Sequence, residues 1–370
     1  MGGPALAVAG FLCVLAVLAY ALLRHVYLAV LTVAAPFCVL GAFFLPYAWR
    51  GPDVQLAMFF APMCTLLILD RMSRSICTGR TPRAAFALAL EEIAASVGPV
   101  LIAYMLALFV LGPETMTWAR RAGDAVAIVI AFAFSLALGG VAILLPYPED
   151  FIARANAARE RRERLFEGLS GIAQPRWSLS VSGIALVLAA IAVFGIRGSH
   201  VEIGWRAAAG YAGSGVVLAA SFTAIARNWR LTLAATLAAT LATLPVLWAW
   251  ARVAPDLFTR LDLWFVMLPE LAVMSVFVLR MSRLVNRDDP AASAISMTLR
   301  GQGPATATAL LILMAAGIMG AALAGDLAFG DFVTPIAGLA AALLFFPAFG
   351  NTIYRLLPRY RSVEDVFGKH

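Results

Sequence analysis

Long apolar runs alternate along this chain with short polar breaks. The runs fall at about 4–23, 26–47, 53–72, 93–112, 122–146, 177–197, 206–226, 230–252, 261–280, 304–325 and 329–354. Each is about 17–25 residues long, the length an α-helix needs to cross a hydrocarbon core of roughly 30 Å. Apolar positions are continuous within a run rather than alternating with polar ones, which argues against the strands of a transmembrane barrel. The pattern predicts an all-α polytopic membrane protein with about eleven transmembrane helices. One polar break is far longer than the others: Tyr147 to Arg176 carries Arg154, Arg159, Arg161, Arg162 and Arg164 with interspersed glutamates. It reads as a cytoplasmic amphipathic helix lying at the headgroups. This linker, 147–176, joins a first transmembrane half, 1–146, with about five helices, to a second, 177–370, with about six helices and a short cytoplasmic tail.

Composition supports the same class. Residues of the set AVILMFWYC make up 62% of the 370 and charged residues 13%, where a soluble domain carries about a quarter charged residues. The net charge of +7 would suggest nucleic acid in a soluble protein. Here it is assigned to cytoplasmic loops, where the basic residues of membrane proteins collect, and no nucleic-acid partner is expected. With the amino terminus outside and the runs alternating, the cytoplasmic stretches hold about three quarters of the 28 Lys and Arg, as the positive-inside rule requires. The expected location is the inner (plasma) membrane, amino terminus outside and carboxy terminus cytoplasmic. No cleavable signal is apparent, because no basic segment precedes the first run and that run leads directly into another.

Little in the sequence points to enzymatic chemistry. Cys13, Cys38 and Cys64 sit inside apolar runs, and neither they nor Cys77 have metal-ligand spacing, so they read as small apolar residues. His25, His200 and His370 are far apart and outside the runs, so no metal, haem or other cofactor is expected. Gly301-Gln302-Gly303 lacks a phosphate-loop lysine and follows no strand. No Ser/His/Asp or Cys/His arrangement is recoverable, and an enzyme is not expected.

Polar punctuation repeats between the halves. Arg24-His25 makes a very short turn before one run, and Arg227-Asn228-Trp229-Arg230 makes the same tight basic turn in the second half. Asp70-Arg71-Met72-Ser73-Arg74 is mirrored by Leu279-Arg280-Met281-Ser282-Arg283, Pro82-Arg83-Ala84 by Pro290-Ala291-Ala292, and Gly98-Pro99 by Gly303-Pro304. Matched polar positions are harder to obtain by chance than matched apolar ones, and internal duplication is a usual construction of secondary transporters.

These features resemble the resistance–nodulation–division (RND) superfamily in its hydrophobe-exporter (MMPL) branch. The resemblance rests on Ala21-Leu22-Leu23-Arg24 and Ala224-Ile225-Ala226-Arg227 at the basic turns, the stretch from Arg74 through Gly79, and Leu144-Leu145-Pro146. In the second half it rests on Leu261 to Phe265, Leu327 to Asp331 and Phe345-Phe346-Pro347-Ala348-Phe349. It implies two pseudo-symmetric bundles of six helices. The chain departs from the pattern in three ways. The loop where the second half of such proteins inserts a porter domain, about 198–204, is only a few residues here, and the first half lacks its first helix. The mid-membrane acids of the fourth helix have Asp70, near the inner end of its run, as their nearest counterpart, and the second half places Arg280 there.

An ionisable side chain deep in a bilayer costs roughly 2.5–3.5 kcal/mol and needs a reason. Glu270 follows Pro269 about halfway along its run, and the proline loosens the helix beside it. Glu270 and Asp70 are the candidates for proton coupling or substrate contact, with Arg280 and Arg71 as charge partners and Asp70 expected to face Arg280 across the pseudo-symmetry axis. Asp124 reads as a hydrated residue at the outer end of its run. Glu91 and Glu92 follow a surface helix, Thr81 to Leu90, and read as solvated. Gly139-Gly140 and Gly317 with Gly320 favour close helix packing. Arg159, Arg161, Arg162 and Arg164 offer a surface for anionic lipid or a partner protein. The function expected is RND-like transport of a lipid or other hydrophobic small molecule, proton-coupled through Glu270 or Asp70. The alternative is a non-transporting subunit that scaffolds a larger complex with other membrane or periplasmic subunits.

Overall fold

A computed structural model of the chain describes residues 3–44, 52–111, 118–171, 174–197, 216, 219–225, 228–237, 275–284, 291–324, 352 and 355–356. Every regular element among them is helical. Helix α1 spans Gly3–Leu23, α2 Val26–Phe44, α3 Pro52–Cys77, α4 Pro82–Leu111, α5 Trp118–Val141, α6 Glu149–Ser170, α7 Pro175–Arg197 and α8 Ala291–Ala324. A 3-10 turn at Ala142–Leu144 extends α5, and 219–225, 229–237 and 275–284 are also helical. Among the described residues, Leu6–Leu23, Pro82–Ile102 and Arg121–Leu144 are long and apolar enough to cross a membrane, with Val26–Ala42 a shorter apolar helix. The expected runs 206–226, 230–252, 261–280 and 329–354 lie largely outside the described residues.

The first half is built around α3, which packs against α2, α4 and α5. From Phe60 to Leu69 its residues are buried without a break, the signature of a helix apolar on all sides. Peripheral α1 instead buries one stripe, Phe11, Leu15, Ala19 and Leu22, at helical spacing. Its other face exposes Leu6, Val14 and Val17. That outer face is as apolar as the inner one, which fits a helix whose solvent is lipid. Contacts at glycine bring helices close: a Cβ on Gly139 of α5 would meet Ile68 of α3 at 2.8 Å and Phe86 of α4 at 2.9 Å. The packing role expected of Gly139 is therefore met, since any larger residue would push three helices apart.

Two expected boundaries move. The surface helix at 81–90 and the run at 93–112 form one continuous helix, α4, of 30 residues, about 45 Å long. In the second half α8 likewise begins at Ala291, well before Gly303-Pro304, and reaches 34 residues. Pro99 and Pro304 lie inside these helices rather than opening them. Such helices outrun a hydrocarbon core of roughly 30 Å, so each projects an end beyond it.

Short turns with defined caps fix the projecting ends. Beyond α3, Arg80 N–H reaches Ser75 O at 3.2 Å, and Gly79 N–H reaches Ile76 O at 2.9 Å with Gly79 at φ +87°. This paired closure needs a left-handed residue that glycine supplies without strain. Thr81 then caps α4 through its hydroxyl to Ala84 N–H at 3.4 Å, with Pro82 at the first helical position. Between α1 and α2 the His25 Nδ1 accepts from Leu28 N–H at 3.4 Å. In the second half Asn228 Oδ1 accepts from Arg230 N–H at 3.1 Å and Leu231 N–H at 3.3 Å. The two basic turns matched in sequence thus use the same device, a side-chain cap on the helix that follows.

Candidate functional site

Charged side chains gather where the projecting ends of α3, α4, α8 and the 275–284 helix meet, beneath α6. Helix geometry aligns Asp70 and Arg74 on one face of α3, and Arg74 Nε bonds Asp70 Oδ2 at 2.8 Å. Arg71, one residue on, turns toward α4. Its Nη2 donates to Glu92 Oε1 at 2.8 Å, and its Nε lies 2.5 Å from Glu92 Oε2 as an ion contact without hydrogen-bond alignment. Glu92 Oε1 also accepts from Arg283 Nη1 at 2.6 Å, and Arg283 Nη2 lies 3.4 Å from Glu91 Oε1. One carboxylate therefore joins Arg71 of the first half to Arg283 of the second.

Glu92 is buried, its side chain 8% exposed, whereas the Glu91 side chain is 69% exposed. The expectation that both are solvated holds for Glu91 and fails for Glu92. The reason is helical phase: Ala85, Ala89, Glu92 and Ser96 share the buried face of α4, and Glu91 points away from it. Asp124 is also buried rather than hydrated, one turn after Arg121, which is buried too, donates to Phe109 O at 2.9 Å and stacks on Trp118.

Of the other residues expected to matter, Asp70 is buried and held by Arg74 of its own helix, and Arg71 by Glu92. The charge contact between halves thus runs through Glu92 and Arg283, where Asp70 with Arg280 was expected. Arg280 is half-buried in the field of Arg71, Glu92 and Arg283. Glu270 lies outside the described residues. The four linker arginines divide by face: Arg161 and Arg164 are exposed, while Arg159 and Arg162 turn partly inward.

Helix α6 closes this end of the bundle. Arg162 Nη1 donates to Leu22 O at 2.7 Å, satisfying a carbonyl that the end of α1 leaves without a helical partner. Burial lowers the Arg162 pKa from its ordinary value, and the charge of Asp70 opposes that shift. At its start α6 is tied to the first half through His25, whose Nε2 lies 3.1 Å from Pro146 O and whose ring meets Phe151 edge-on at 4.9 Å. Toward its end, Phe166 lies against Gly303 of α8, where a Cβ would overlap the ring, and Glu167 lies 3.8 Å from Arg300. Between α3 and α6 a pocket of about 20 Å³ is lined by Asp70, Ser73, Arg74, Cys77, Arg159 and Arg162 among others. That is space for a water or two and no larger ligand. Burial pushes the Cys77 thiol up from its ordinary value, with the Arg159 charge pulling the other way. Among the described residues no group of His, Cys, Asp or Glu could hold a metal ion.

No family model matches the chain, and no curated protein matches it in sequence. Solved structures do match in fold. SecDF from Thermus thermophilus, described as a translocon-associated membrane protein, superposes with a TM-score of 0.65 at 15% identity, over 93% of this chain and 61% of its own. SecDF in its super-membrane-facing form gives 0.64 at 13% identity, over 95% of this chain and 61% of its own. The chain shares the membrane-protein fold of these SecDF structures, and it spans about three fifths of their length.

Proposed function

We propose that this chain is an RND-type membrane core that works inside a larger membrane complex, in association with a translocation machine. Its two halves would move against each other to drive or regulate passage of a substrate. The observation that carries this reading is the fold likeness over 93% of the chain to a translocon-associated protein of which the chain spans only 61%. A core of that extent leaves room for other membrane or periplasmic subunits to complete the device. The chain would sit in the inner (plasma) membrane with its basic end, including α6, in the cytoplasm. Purification from native membranes in mild detergent, followed by mass spectrometry of proteins and lipids, tests it. A stoichiometric membrane partner is the expected result, and a lone chain carrying one enriched lipid would sink it.

A second reading is favoured by the buried charges at the junction of two repeated halves, since ionisable groups within membrane proteins mark transport pathways. In it the chain itself moves a lipid or other hydrophobic molecule, in the manner of the hydrophobe-exporter branch, coupled to protons through Glu270 or Asp70. Glu270→Gln separates the two readings. Transport abolished with assembly intact supports the second, and an unchanged phenotype supports the first.

A further inference from the structure

We infer that Glu92, Arg71 and Arg283 form a gate contact at the basic end of the molecule, which opens by parting Glu92 from Arg283 while Glu92 stays with Arg71. This rests on the proposed movement of the two halves and adds the place where they separate.

The two contacts of Glu92 are unequal. Arg71, from within the same half, donates to one carboxylate oxygen at 2.8 Å and lies in ion contact with the other. Arg283 reaches one oxygen of Glu92 at 2.6 Å, and its other nitrogen reaches only the largely exposed Glu91 at 3.4 Å. The first contact touches both oxygens and lies between two helices that pack on each other, α3 and α4, whereas the second touches one oxygen and crosses between the halves. When the halves part, the single contact gives way first and leaves Glu92 still paired, so opening strands no bare carboxylate.

Charge at this junction both favours and opposes closure. Around Glu92 itself, the two carboxylates of Glu91 and Glu92 meet the three guanidinium groups of Arg71, Arg280 and Arg283, so positive charge is in excess by one there. Arg280 stands one turn from Arg283 and feels Arg71, Arg283 and Arg74, all of its own sign, together with the attraction of Glu92. Its repulsion weakens a junction that Glu92 holds together. Such an arrangement is poised between two states rather than locked in one.

Arg283 and Arg280 lie on one helix and carry one charge each, yet the gate assigns them opposite effects. Spin labels introduced by Arg80→Cys in the first half and Met297→Cys in the second, in a cysteine-free background of the full chain, report the separation by pulsed electron resonance. Both positions are exposed. Arg283→Gln removes this contact between halves and leaves the Arg71–Glu92 pair whole. It is expected to raise the ratio of long to short distances about tenfold, which is what one charge-assisted hydrogen bond contributes. Arg280→Gln removes like-charge repulsion and is expected to leave the short distance dominant or sharpen it. Equal behaviour of the two variants, in either direction, overturns the gate, because net charge alone would then explain the result. Should Arg283→Gln fail to fold, Arg283→Lys supplies the same comparison with one donor group in place of the planar fork. The readout is a distance and needs neither transport nor a partner, so its failure is distinct from failure of the proposed function.

Discussion

A carboxylate shared by two arginines is a demanding arrangement for one buried residue. Glu92 accepts from both guanidinium groups in a site where its side chain is 8% exposed, and neutralising it leaves two cations facing each other with no negative charge between them. Removing one member of a buried ion pair costs roughly 3–5 kcal/mol. The partly exposed Arg283, at 31%, puts Glu92→Gln at the low end of that range. The measurement is thermal unfolding in detergent, where a midpoint equal to that of the unaltered chain would contradict the account. His25 gives a subtler case. Asn228 performs the same capping in the second half, so His25→Asn keeps the cap on α2 and loses the contact to Pro146 O. His25→Ala loses both and is expected to be the less stable of the two by about 1 kcal/mol. Both residues show how far a side chain can be read without its neighbours. Glu92 lies on a stripe of small residues, Ala85, Ala89 and Ser96, and that spacing was the available signal of an inward face. The adjacent Glu91 and the break expected at residue 93 concealed it, because they made the segment look like a hydrated loop helix.

Helix α6 acts as an element rather than as a list of arginines. Five acidic residues offset five arginines between Glu149 and Ser170, so the linker carries no net charge. Its inward side chains attach it to α1 through Arg162 and to α8 through Phe166. The sequence marks the helix and its length clearly, since the polar stretch between two apolar runs allows little else. It does not mark the docking, because that depends on Gly303 leaving room for the Phe166 ring. Gly303→Val should displace Phe166 and loosen α6. Cys77, half-buried between α3 and α6 with a thiol that burial keeps protonated, is the native reporter. Its alkylation by a maleimide in the full chain is expected to quicken severalfold in Gly303→Val. Gly301→Ala, whose Cβ would meet only the Arg74 side chain at 3.9 Å, should leave the rate unchanged. Equal rates in both variants would mean that Phe166 does not hold α6 down.

On the scale of the whole molecule, lipid makes the fold class legible and the working site obscure for one reason. A surface that faces hydrocarbon can be as apolar as a core, so apolar helices stand out in the sequence, while the inner and outer faces of α1 look alike until its stripe from Phe11 to Leu22 is seen packed. Pairings between halves, such as Glu92 with Arg283 at a separation of 191 residues, have no local signature. What survives at this scale is the asymmetry of charge. The described ends that carry Arg24, Arg80, Arg83 and the arginines of α6 belong to one side of the bundle, because Arg162 of α6 bonds the end of α1 and α6 packs on α3 and α8. If positive residues stay on the cytoplasmic face, cysteines placed at the exposed Arg80 and Arg161 must be shielded together from a membrane-impermeant maleimide in intact cells and labelled together once the membrane is opened. Labelling of both in intact cells would invert the orientation while leaving the bundle and its gate contact as they are. Labelling of one without the other would place α6 and the α3–α4 turn on opposite faces, which the contacts among α1, α3, α6 and α8 do not permit.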